Sequence, residues 1–233
     1  MIKHNKRSKN YDNRVVIKPW GEEYNIFRNK KKLAITYLKI EKGKSTSLHC
    51  HPRKKTGFLI LSGTAEVQVG IYKSNKFIYK PMSILVLRAG LFHKIQASKK
   101  NTLYALEVET PYLKKDLIRM KDDYGRKSAG YENLKSSKNL TKKSVIFKTP
   151  KLDAINKYNL HNIKISIGHY SSIKTKISKK KKKSVVIILD GSVVNDKHKT
   201  VIKEGEIIKF NTLRTLCKTF KINNKLLLLI AKK

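Results

Sequence analysis

From Val15 onward the chain is a succession of short apolar runs, each cut off by turn residues. The first are LAITYLKI (Leu33–Ile40), GFLILSGTAEVQVGIY (Gly57–Tyr72), SILVL (Ser83–Leu87) and TLYALEVE (Thr102–Glu109). They are rich in β-branched and aromatic residues, and many alternate in polarity as half-buried strands do. No long helical period competes with them. Many short strands at regular spacing predict an all-β chain that closes into a sandwich or barrel.

The pattern pauses at residues 127–143, KSAGYENLKSSKNLTKK, which carry no apolar period and read as a linker. Strand-like runs resume in the second half: NIKISIG (Asn162–Gly168), VVIIL (Val185–Leu189), EIIKF (Glu206–Phe210) and KLLLLIA (Lys225–Ala231). The halves resemble each other weakly. FLILSGTAEV aligns with VVIILDGSVV, placing Gly63 opposite Gly191, and MSILVLRAGLFH aligns with GEIIKFNTLRTL, in the same order. The expected organisation is a basic arm over 1–14, a barrel over 15–126, the linker, and a degenerate second barrel over 144–233.

The formal charge of +38 over 233 residues favours anionic partners, nucleic acid among them. Yet only eight of the 54 basic residues are arginine, the residue suited to bidentate grip on phosphate or base edges. Lysine-dominated charge reads first as solvated surface. The run Lys179–Lys183 is expected to be a loop tip, with a polyanion-docking patch as the alternative. Cys50 and Cys217 form neither a disulfide framework nor a zinc-ribbon spacing, which points to a reducing cytoplasm. The basic N-terminus is not followed by the apolar stretch of a secretory signal, and the longest apolar run, Leu226–Ala231, is too short to span a bilayer.

One constellation carries chemistry. His49 and His51 are separated by one residue, so on a strand they share a face while Cys50 turns away. His93 follows Gly90, whose position suits a tight turn. Three imidazoles converging in a barrel suit a divalent transition metal (Zn, Mn, Fe, Co or Ni) with positions left open for substrate. The alternative is that the rings are relics in a polar lumen.

These residues resemble the two cupin motifs. Gly43, His49, His51 and Gly63 fit G-x5-H-x-H-x3–4-E-x6-G, and Gly90 and His93 fit G-x5-P-x-G-x2-H-x3-N. The motif's glutamate falls at Thr56, its proline at Arg88, its first glycine at Met82 and its asparagine at Ala97. Glu66 or Glu107 would substitute for the lost carboxylate if its strand faces inward. Lys18-Pro19-Trp20-Gly21-Glu22 resembles the opening of the type II mannose-6-phosphate isomerase cupin. Glu107–Tyr112 with Asp116–Arg126 resembles that family's closing segment. The resemblance spans residues 15–126. It implies a double-stranded β-helix, or jelly roll, and with the second half a bicupin.

It also implies a metal at His49, His51 and His93 and aldose–ketose isomerisation of a sugar phosphate in polysaccharide precursor metabolism. Lys18 and Arg126 then become the catalytic candidates, placed to hold an anionic substrate or a developing oxyanion. For Arg126 a salt bridge to Asp122 or Asp123 is an equal alternative, and for Trp20 core packing is favoured. Tyr124 is expected to pack with its hydroxyl hydrogen-bonded. The resemblance leaves two other readings open: a non-catalytic cupin binding a sugar, sugar nucleotide or small acid, and a basic polyanion-binding protein. The repeat places His49, His51 and His93 opposite Ile177, Lys179 and Leu216, so the second barrel is expected to hold no metal. It would cover the first sheet or form the surface of a homodimer. His161, His169 and His198 read as surface residues, and Cys217 as a small core residue on a strand.

Overall fold

The computed structural model describes residues 13–127, 136–173 and 184–233. Its first eleven strands are β1 (Arg14–Lys18), β2 (Gly21–Asn29), β3 (Leu33–Ile40), β4 (Leu48–Cys50), β5 (Lys55–Ser62), β6 (Ala65–Val69), β7 (Lys76–Tyr79), β8 (Ile84–Leu87), β9 (His93–Ala97), β10 (Leu103–Thr110) and β11 (Ile118–Lys121). Then come β12 (Ser137–Asn139), β13 (Ile155–Leu160), β14 (Ile163–Tyr170), β15 (Val185–Val194), β16 (Thr200–Lys203), β17 (Ile207–Lys209), α1 (Phe210–Thr219) and β18 (Lys221–Lys232).

Two sheets build the N-terminal barrel, a double-stranded β-helix. One has seven strands in the order β12-β1-β2-β3-β10-β5-β8, and the facing sheet has five in the order β11-β4-β9-β6-β7. Between them lies a core of Trp20, Leu38, Ile40, Phe58, Ile60, Val67, Ile95 and Leu103. Gly63 makes the β5–β6 turn at φ 80°, where an added Cβ would overlap the Thr102 carbonyl. Met82 stands where the motif has glycine and still takes the left-handed conformation, φ 70°.

The seven-stranded sheet is buried on both faces, and its alternation explains how. Along β3, Leu38 and Ile40 face the barrel interior, while Leu33 and Ile35 join a second core. Along β5 and β10 the residues Leu59, Leu61, Leu106 and Val108 make the same outward turn. That outer face is covered by the second half of the chain, through Ile163, Ile165, Ile167, Val185, Ile187, Leu189, Leu227 and Leu229. Strands buried on both sides read as nearly continuous apolar runs, as these do. At the rim, the Lys55 and Glu206 side chains pair across the two halves. An added Cβ on Gly57 would approach Ile207 Cδ1 to 2.6 Å.

The second half differs from the expected degenerate barrel. Its described residues form one six-stranded sheet, β13-β14-β18-β15-β16 with β17 also on β15. The segment read as a strand over Glu206–Phe210 ends at Lys209, and a helix starts there. The helix has a physical cause that the strand reading overlooked. Phe210, Leu213, Leu216, Cys217 and Phe220 recur at three- and four-residue intervals, and all contribute to the core on the sheet's far face. Leu216, aligned with His93 in the repeat, is therefore helical, and Cys217 lies on this helix rather than on a strand. Ile177 and the run Lys179–Lys183 lie outside the described residues.

The expected linker and arm also contribute strands. Residues 137–139 pair with β1, and Arg14 on β1 donates to Ser137 Oγ at 2.8 Å and Asn139 Oδ1 at 3.0 Å. His161 is more than a surface residue. It sits in the β13–β14 turn, 2.7 Å from the Tyr37 hydroxyl, with its ring stacked 4.0 Å from Tyr104. No helix among the described residues is long and apolar enough to cross a membrane.

Candidate metal centre

The barrel brings the three histidines of the sequence pattern together. His49 on β4 pairs directly with His93 on β9. His51 follows two residues after His49 on the same face, and the ring centroids lie 4.5–5.5 Å apart. One ligand atom from each ring lies within 4.8 Å of the others. Gly90, at φ 76°, donates its N–H to the His51 carbonyl at 2.8 Å, so the turn before His93 is tied to the segment that carries the other two rings.

The hydrogen bonds fix which nitrogens face inward. Nδ1 of His49, His51 and His93 lies 2.8, 2.6 and 3.0 Å from the carbonyls of Ser47, Asp116 and Leu91. A carbonyl only accepts, so each Nδ1 carries the proton and each Nε2 presents a lone pair. His51 Nε2 and His93 Nε2 are buried without a hydrogen-bond partner among the described residues. Backbone-anchored Nδ1 with a bare Nε2 is the arrangement of a metal-ligating histidine. Burial also holds the rings neutral. Desolvation, reinforced by the positive charge of Lys54, lowers His51 to about 3, and desolvation lowers His93 to about 4. His49 falls well below its ordinary value through burial and the neighbouring His93 and His51. The residues present therefore fit a cation.

Asp116 organises the loop behind His51. Its carboxylate accepts the N–H groups of Arg53 and Lys54, both at 2.9 Å, and Arg53 Nε at 3.2 Å. Burial opposes its ionisation, but these donors hold its pKa below the usual carboxylate range.

The cavity that holds the imidazoles is lined by five cationic side chains, Lys18, Lys54, Lys114, Arg119 and Arg126, against three carboxylates, Glu23, Glu107 and Glu109. The lining thus carries an excess of positive charge. Lys18 is buried with its Nζ 3.6 Å from Glu23, which Lys114 also reaches at 3.4 Å. Arg126 lines the cavity, and Asp122 pins its guanidinium at 2.6 Å, which is the salt bridge expected from sequence. Tyr124 packs at the margin of the barrel core, and its hydroxyl donates to the Ser45 carbonyl at 3.1 Å. Trp20 is core and also lines the cavity. Of the two substitute carboxylates, Glu66 turns outward to Lys76 at 2.7 Å, whereas Glu107 faces the cavity.

Lys54, Glu109, Lys114, Glu23 and Arg119 were not singled out from sequence. Lys54 pairs with Glu109 in full burial. The missed signal was alternation: Leu103 and Ala105 face the barrel core, so Glu107 and Glu109 continue the same face.

The model of the family described as mannose-6-phosphate isomerase C-terminal matches residues 5–123, just over half of the chain. The chain belongs to this family. The N-terminal barrel of this family member is a cupin. Its sequence is 29% identical over 131 residues to the xanthan biosynthesis protein XanB of Xanthomonas campestris pv. campestris, covering 54% of this chain and 26% of that protein. It is 32% identical over 115 residues to a mannose-1-phosphate guanylyltransferase of Sinorhizobium fredii, covering 47% and 21%. The chain thus spans about a quarter of the length of these relatives. Among solved structures, KdgF from Halomonas sp. superposes with a TM-score of 0.38 at 16% identity, covering 42% of this chain and 85% of that one.

Proposed function

We propose that the N-terminal barrel holds a divalent transition metal on His49, His51 and His93 and interconverts an aldose phosphate and a ketose phosphate in polysaccharide precursor metabolism. The observation that carries this reading is the anchored histidine trio, with Nε2 lone pairs converging in a cavity of positive lining. The bound ion would supply Lewis-acid polarisation of the sugar oxygens. Lys18 and Arg126 hold the anionic end of the substrate, Lys18 beside Glu23, which it shares with Lys114, and Arg126 on Asp122. The second half serves as cover, shielding the apolar outer face of the seven-stranded sheet.

Elemental analysis of the purified chain beside a His49→Ala/His93→Ala variant tests the site. The expected result is metal in the first and loss of it in the second, and equal metal content in both would sink the reading. Mannose 6-phosphate is the probe for turnover, read as exchange of its C2 proton.

One observation favours a second reading. Thr56, buried on β5, stands where the cupin motif has a carboxylate, which suits a cupin that binds a sugar phosphate without converting it. Thermal stabilisation by mannose 6-phosphate with no proton exchange would select that reading.

A further inference from the structure

The cavity contains a carboxylate that the histidine centre does not use. Strand β10 pairs on one side with β5, placing Glu109 opposite Thr56 and Glu107 opposite Phe58. Glu109 is committed: Lys54 pairs with it and the Thr36 hydroxyl donates to it at 3.4 Å. Glu107, two residues away on the same face, accepts no hydrogen bond among the described residues and is only partly buried. It lines the same cavity as the imidazoles, from the opposite sheet. Its oxygens are outside the group of ligand atoms that the three rings form. It therefore shares the cavity with the three imidazoles without belonging to the group that their ligand atoms form.

We infer that Glu107 is the catalytic group that carries the substrate proton between adjacent carbons. This rests on the isomerase reading above. The Glu107 carboxylate takes the proton from the carbon beside the carbonyl. The electrons of the broken C–H bond form the C=C bond of an enediolate, and those of the C=O bond move onto oxygen. Glu107 returns its proton to the former carbonyl carbon as the new C–H bond. The remaining hydroxyl proton passes to the first oxygen while the second becomes the carbonyl. Atoms and electrons balance with no further reactant.

The surroundings suit this role. Burial and the Glu109 charge raise the Glu107 pKa, with Lys54 opposing and Glu23 adding to the rise. A carboxylate so placed is a stronger base than one in water. Thr56, where the motif carboxylate is missing, lies opposite Glu109 on β10, and Glu107 follows two residues away on the same face.

The test uses the full chain, metal-loaded, with mannose 6-phosphate in deuterated buffer. Exchange at C2, metal content and thermal stabilisation by mannose 6-phosphate are read in parallel. Glu107→Gln is expected to keep the metal and the stabilisation while exchange falls by about 100-fold or more. Glu107→Asp, which keeps a carboxylate but shortens it, is expected to recover part of the exchange, and it carries the test if the glutamine variant does not fold. Exchange in Glu107→Gln within about threefold of the unmodified chain would overturn the inference while leaving the isomerase reading intact. Loss of metal from that variant would overturn it in favour of a ligand role. Absence of exchange in the metal-loaded unmodified chain would remove the isomerase reading, and the inference with it.

Discussion

Acid should destabilise this fold through its imidazoles, by an amount the structure lets one work out. In the unfolded chain a histidine titrates near its ordinary value of about 6.5. In the folded barrel His51 and His93 are lowered to about 3 and about 4, chiefly by desolvation. The folded values are the depressed ones, so the unfolded chain takes up protons first as pH falls. Stability is fully present above about pH 6.5 and is lost on the way down to the folded values. From about pH 7 to about pH 5, linkage costs about 2 kcal/mol for each ring, or about 4 kcal/mol for the two. That is a large share of the roughly 5–15 kcal/mol typical of a folded domain.

The assay is urea unfolding of chelator-treated protein at both pH values. Trp20, the single tryptophan and buried in the barrel core, is the fluorescent reporter. A His51→Gln/His93→Gln variant isolates the effect from the general repulsion of a chain with charge +38. The unmodified chain should lose about 4 kcal/mol more than the variant over this interval. A difference below about 1 kcal/mol would show that the rings are hydrated or already paired, and the account of their neutrality would fail.

Three further outcomes follow from the packing. Lys54→Met strands the Glu109 carboxylate in burial and should cost about 3–5 kcal/mol in urea unfolding, most of it regained when Glu109→Leu is added. Gly205→Ala places a Cβ onto Thr110 Oγ1 at a residue with φ 85°, and calorimetry should show a loss of about 2–4 kcal/mol. Leu229→Ala, at a fully buried position between the two halves, should cost about 2–5 kcal/mol, and a single cooperative transition should persist because one core spans both halves.

Local features of this protein were legible in the chain itself. The strands of the barrel follow from side-chain branching and alternation, and the shared face of His49 and His51 follows from the two-residue repeat of any strand. The turn at Gly90 needs only its own backbone freedom. These depend on neighbours in sequence, so spacing reveals them. The run FNTLRTLCKT could also have been read locally, because its apolar residues recur at helical intervals; the repeat alignment drew attention away from that period.

Other features required the folded molecule. Runs such as LAITYLKI are apolar on both faces, and nothing within them says whether a second barrel, a single sheet or another chain covers the outer side. Lys54 and Glu109 are 55 positions apart and meet only because β10 lies against β5 with both side chains turned inward. The exposure of Glu66 and the inward turn of Glu107 likewise depend on which face of each sheet meets the cavity. Strand pairing across long sequence separations, and the burial that shifts ionisation, arise only when distant segments share one enclosed space.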